Sequence, residues 1–137
     1  MSKQYHLFIS HSWAYSKAYD GLIELLNKDA SFNYVNYSVP KDDPIHNAGS
    51  DKELYDAIKS QISKSSVIII LSGVYSTYSR WINKEIQIAK KEFLFPKPII
   101  AVVPRGAERI SGIVKDSADR IVKWNSMSVI SAIRDVA

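Results

Sequence analysis

The sequence predicts one α/β domain built on an open, parallel, five-stranded sheet with helices on both faces. Three observations carry that expectation. Strand-like runs of about five or six residues alternate with helical stretches of about ten to fifteen, the pattern of repeated βαβ units. The run Val67-Ile68-Ile69-Ile70-Leu71 is apolar at every position, as a strand covered on both faces must be. A chain of 137 residues, 46% of them hydrophobic, has the size of one domain with one sizeable core, and no linker or internal repeat interrupts it.

Strands are expected at residues 5–10, 33–37, 67–71, 99–103 and 120–123. Helical periodicity joins Tyr15, Ala18, Tyr19, Leu22, Leu25 and Leu26, then Leu54, Ile58 and Ile62, then Ile82, Ile86, Ala89 and Phe93. A short helix is expected after Arg105, and a last one after Ser126. Ser50-Asp51-Lys52-Glu53 is a capping box just before Leu54, which sets the start of the second helix. With a fully covered central strand, the expected strand order is 2-1-3-4-5, the flavodoxin-like arrangement. Residues 38–49, with Pro40 and Pro44, make a segment longer than a typical βα loop and form a candidate lid.

Composition removes several kinds of chemistry. The chain has no cysteine, so it offers no disulfide framework, zinc knuckle or thiol nucleophile, and no metal site is expected. Nothing after Met1 resembles a signal peptide, and no apolar run approaches the roughly 20 residues of a membrane span. A soluble, cytoplasmic protein without membrane contact is therefore expected. The net charge of +4 is unevenly placed: residues 1–68 carry 7 Lys against 8 acids, and residues 69–137 carry 11 Lys and Arg against 6 acids. Such a lean suits a phosphate-bearing ligand or nucleic acid, and a solvated basic surface equally well.

Open α/β sheets bind ligands outside the carboxyl ends of their strands, so function is sought in residues 10–13, 38–49, 72–85 and 104–109. A phosphoacceptor receiver would need an aspartate after the third strand and an acidic cluster after the first. Those places read Ser72-Gly73 and Ser10-His11-Ser12. Neither G-x-G-x-x-G nor G-x-x-x-x-G-K-[ST] occurs, so a nucleotide would have to be held another way. Helix N-termini offer N–H groups for phosphates, with Lys41, Arg80 and Arg105 close by in sequence.

Glu85 stands out among the charged residues. On a helix beginning near Ser79, its neighbours three and four positions away are Trp81, Ile82, Ile88 and Ala89, so no intrahelical cation partners it. A carboxylate there is either functional or snorkelling to water. Glu92 has comparable neighbours in Ile88, Ala89, Phe95 and Pro96, so an apolar setting alone does not identify a catalyst. Position separates the two, because Glu85 is in the half of the helix that faces the expected cleft. His11 and His46 invite acid–base readings, but a lone histidine in a loop is more often a surface or hydrogen-bonding residue. Ser12 reads as a cap of the first helix with Trp13 packed against it, and Trp81 as core before ligand stack.

Taken together, Tyr5-His6-Leu7-Phe8-Ile9-Ser10-His11-Ser12-Trp13, the proline-bearing loop after the second strand and Trp81-Ile82-Asn83-Lys84-Glu85 resemble TIR-like domains. The resemblance is to the compact bacterial TIR-like proteins of Thoeris anti-phage defence, the ThsB-like kind, and spans nearly all of residues 1–137. The chain departs from the common TIR pattern at His6 and His11, where the first box carries an acidic residue and a tyrosine, which points away from Toll-adaptor signalling.

The resemblance implies that Glu85 is catalytic and that Phe8, Ser10 and residues 39–44 border the ligand. With the segments singled out above, the expected substrate-binding set is completed by His11, Ser12, Trp13, Val39, Pro40, Lys41, His46, Arg80 and Trp81. It further implies an NAD glycohydrolase or cyclase that takes NAD as substrate and needs no cofactor. Nicotinamide is released, and a cyclic ADP-ribose signal is sensed by a separate effector protein. Self-association is expected to complete the site, and nucleic acid is not an expected partner. Two other readings fit the same residues: a non-enzymatic TIR-like interaction module, and an enzyme resembling nucleoside deoxyribosyltransferases.

Overall fold

The computed structural model describes residues 4–10, 16–37, 51–71, 80–93, 96–103 and 112–137. Strands and helices alternate in chain order: β1 (Gln4–Ser10), α1 (Ser16–Asn27), β2 (Asn33–Asn36), α2 (Asp51–Ser63), β3 (Val67–Leu71), α3 (Arg80–Lys91), β4 (Ile99–Val103), α4 (Gly112–Ser117), β5 (Arg120–Lys123) and α5 (Ser126–Val136). One sheet contains all five strands in the order β2-β1-β3-β4-β5, each neighbouring pair parallel. The fold is thus the flavodoxin-like α/β sheet that the sequence predicts. β1 begins one residue early, because polar Gln4 still pairs with Asn33. Tyr37 falls just outside β2, although its N–H donates to the Leu7 carbonyl at 2.8 Å.

Alternation along the strands divides the core in two. Leu7, Ile9, Val67, Ile69, Leu71, Ile100 and Val102 face one layer, where Leu22, Leu25 and Leu26 of α1 and Val129, Ile130 and Ile133 of α5 cover them. Phe8, Ile68, Ile70, Ile99 and Ala101 face the other, beneath Ile58 and Ile62 of α2 and Ile86, Ile88 and Ala89 of α3. β3 belongs to both layers and is buried at all five positions. That explains its unbroken apolar sequence.

The α1–α5 layer is tied together by short polar contacts at its rim. Asn125 caps α5, its side chain accepting from the Ser128 N–H at 3.1 Å. Ser126 Oγ donates to the Leu25 carbonyl of α1 at 2.7 Å. Beside this link, Gly21 of α1 leaves room for the indole of Trp124: a Cβ at position 21 would stand 2.9 Å from Trp124 Cζ2. Alanine in mid-helix ordinarily stabilises by about 1 kcal/mol over glycine, whereas overpacking a tight contact costs about 1–3 kcal/mol. Gly21→Ala should therefore lower the urea unfolding midpoint by the equivalent of about 1 kcal/mol. A raised midpoint would mean that the indole yields freely.

Candidate active site

In the observed strand order the chain leaves β1 for β2 on one side and later enters β3 on the other. A topological switch point therefore lies between the carboxyl ends of β1 and β3, where a crevice opens in sheets of this kind. Ser10 ends β1 in register with Ile70, one residue before the end of β3. By strand alternation, position 10 is on the same sheet face as Phe8, the face that α2 and α3 cover.

α3 follows β3 and leads to the parallel strand β4, so it must run back from the carboxyl edge towards the amino edge. Its N-terminal half is therefore the half beside the crevice. Glu85 is in that half, with five helical residues before it. One turn later come Ile88 and Ala89, both fully buried, so position 85 falls on the sheet-facing arc of the helix. Arg80 and Trp81 form its first two residues. The topology thus brings the end of β1 and the start of α3 to one edge and one face.

Phe8 is only 1% exposed and belongs to the core cluster beneath α2 and α3. Its described role is packing, two residues below the strand end. His11, Ser12, Trp13, Val39, Pro40, Lys41 and His46, like the candidate lid at 38–49, lie outside the described residues.

His6, on the same face as Phe8, has a partner that its sequence neighbours do not reveal. Its Nδ1 lies 3.1 Å from the Tyr37 hydroxyl, and the two rings stack at 5.7 Å. Gln61 Nε2 donates to the Tyr37 carbonyl at 2.9 Å. The residue that precedes the 38–49 segment is therefore held by both β1 and α2.

The far end of α3 is secured from three sides. Glu92, just beyond the helix, accepts a hydrogen bond from the Tyr55 hydroxyl of α2 and lies 3.6 Å from Lys59 Nζ. The Tyr55 bond, reinforced by the Lys59 charge, holds the Glu92 carboxyl below its usual range despite an opposing contribution from desolvation. Lys97 N–H donates to the Ala89 carbonyl at 2.8 Å, while its ammonium donates to the Ser65 carbonyl at 2.8 Å, just past the end of α2. Lys90 Nζ donates to Asp119 Oδ2 at 2.6 Å. Burial pushes the Asp119 carboxyl up, but the bonds from Lys90 and the Ile99 N–H outweigh it and leave the group below its usual range.

Among the described residues, hollows of about 470 and 390 Å³ open on the α1–α5 side, lined by Lys28, Ser126 and Met127 among others. They lie on the opposite sheet face from α3. No group of three or more His, Asp or Glu gathers among the described residues to hold a metal. No helix among them is long and apolar enough to cross a membrane.

The sequence profile of the Thoeris protein ThsB, TIR-like domain, matches residues 8–109. The chain belongs to this family. The ThsB match opens on Phe8, takes in the end of β1, all of α3 and β4, and closes before α4. Among solved structures, the ThsB-like chain is similar to the Clostridium botulinum CMP N-glycosidase BcmB. The TM-score is 0.52 at 12% identity, over 94% of this chain and 98% of that one. At that identity the likeness is one of fold. No protein of curated function matches the sequence significantly.

The carboxylates of this ThsB-like protein set a pH dependence. Asp29, Glu92 and Asp119 all ionise more readily in the folded chain than in model peptides. The unfolded chain then binds more protons than the folded one through the acid range, so these groups stabilise the fold above their ordinary pKa values. That contribution is lost as pH falls through the lowered ones. The melting temperature should stay level between about pH 7 and about pH 5 and decline below about pH 4. A melting temperature that stayed level, or rose, on acidification below that point would contradict the assigned interactions.

Proposed function

We propose that this ThsB-like protein cleaves the bond between nicotinamide and ribose in NAD, and that Glu85 is the carboxylate facing the ribosyl cation. One observation carries the reading: in a chain of this family, Glu85 stands on the sheet-facing arc of α3, in the half beside the switch-point crevice.

The chemistry suits a single carboxylate. As the C1′–N bond breaks, its electron pair goes to the nicotinamide ring, which leaves as a neutral molecule and needs no general acid. Positive charge develops on the ribose, where an ionised glutamate stabilises or captures it. A nucleophile within the same ADP-ribose then closes on C1′ and loses its proton, giving a cyclic product for a separate effector to sense. Cyclisation requires that water be excluded, a task for the 38–49 segment and for a neighbouring subunit.

A second reading is hydrolysis of the N-glycosidic bond of a nucleoside monophosphate. The likeness in fold to the CMP N-glycosidase BcmB favours it. The bond class and the proposed carboxylate are the same, but cytosine must gain a proton to leave as a neutral base, and water rather than a group of the substrate attacks C1′.

Chromatography of NAD and, separately, CMP incubated with purified protein distinguishes the two. Nicotinamide should appear from NAD, with specific activity rising with protein concentration if neighbouring subunits complete the site. Glu85→Gln should lower the rate by about 10² to 10³, by analogy with losing one oxyanion-hole donor, while the melting temperature holds. Glu24→Gln, on exposed α1 surface, should leave turnover unchanged. Base release from CMP alone would select the second reading. Full NAD cleavage by folded Glu85→Gln would remove Glu85 from the catalytic role, and no cleavage of either substrate at high protein concentration would leave the interaction module in its place.

A further inference from the structure

We infer that Asp119 is a positioning residue for α3, holding the C-terminal turn of that helix to the sheet through Lys90 and so setting where Glu85 stands. The inference rests on the reading of Glu85 given above.

Asp119 lies in the turn between α4 and β5, far from Lys90 in sequence, and one of its oxygens serves two elements. Oδ2 accepts from Lys90 Nζ at 2.6 Å and from the N–H of Ile99, the first residue of β4, at 2.8 Å. The Asp119 N–H returns to the Ile99 carbonyl at 2.8 Å. Asp119 is thus fixed to the sheet by two bonds to one residue, one through its carboxylate and one through its backbone N–H, and the carboxylate's other bond reaches the last turn of α3. Lys90 is three-quarters covered on that turn. A charge-assisted bond of this length is stronger and more directional than a neutral one.

Geometry gives the contact its reach. Five residues separate Lys90 from Glu85, about 7.5 Å along a helix that moves as one body. A change of tilt at the braced end therefore appears at position 85. Tyr55 and Lys59 brace the same end sideways from α2 through Glu92, the Lys97 N–H holds the Ala89 carbonyl just before β4, and the Lys90–Asp119 bond is the side-chain brace that points to β4 and β5. Misplacement of a reacting group by 1 Å from a remote change can cost about 10² in rate.

The test uses Asp119→Asn, which keeps the shape and can still accept from the Ile99 N–H, beside Lys90→Met and the conservative Lys90→Arg. Steady-state kinetics on NAD and amide hydrogen exchange of the 80–91 peptide are measured for each. For Asp119→Asn and Lys90→Met, kcat should fall about tenfold with KM within about twofold of wild type. The α3 amides should exchange faster while those of α1 do not change. Lys90→Arg should match wild type in both. Should Asp119→Asn not fold, Lys90→Met carries the test, since it leaves Asp119 bonded to β4. Unchanged kcat and unchanged α3 exchange in a folded variant would overturn the inference, as would a loss confined to KM. If wild type does not cleave NAD, the functional reading fails by itself, and the exchange of α3 still decides whether Asp119 braces the helix.

Discussion

Parallel strands cannot be joined by tight turns, and every consequence of this fold follows from that constraint. Each of β1 to β4 must be followed by a crossover, and right-handed crossovers place helices on both faces of the sheet. β3, the central strand, is then shut off from solvent on both sides, which only an unbroken apolar run such as 67–71 can tolerate. The same constraint brings the carboxyl ends of all five strands to one edge, where Ser10 ends β1 and the strand order reverses between β1 and β3.

Within this frame α3 has two unlike ends. Its far end is held through Lys90, Glu92 and Lys97, whose side chains bond Asp119, Tyr55 and the Ser65 carbonyl respectively. Its near end begins at the crevice with Arg80 and Trp81, and Glu85 follows one turn later. Ile86, Ile88 and Ala89 seat the helix on the sheet between the two ends. A helix anchored at one end and open to the crevice edge at the other would serve the proposed reaction as a rigid support for a single carboxylate. A reaction with a good leaving group and a cationic transition state asks for little more.

The strands were legible in the sequence wherever burial dictates composition. Residues 67–71, 99–103 and 120–123 form strands with the bounds that their apolar patterns predict, and the helix positions follow from their 3.6-residue periodicity. Gln4 escaped because a polar residue at a strand end pairs through its backbone, which leaves no mark on the side-chain pattern. The place of Glu85 could be read because helix phase and strand order together suffice to define it. The partners of Glu92, 37 and 33 residues earlier at Tyr55 and Lys59, could not: they depend on how α2 crosses α3. The same holds for His6 with Tyr37 and for Lys90 with Asp119, where separations of 31 and 29 residues are bridged only by packing.

A crystal structure of Glu85→Gln soaked or co-crystallised with NAD tests the central claim most directly, since the variant should bind substrate and turn it over slowly. The nicotinamide ribose should occupy the crevice between the carboxyl ends of β1 and β3, with C1′ about 3.5 Å from the side chain at position 85. NAD seated elsewhere, as in the hollow between α1 and α5, or absent at saturating concentration, would contradict the assignment of this edge as the active site.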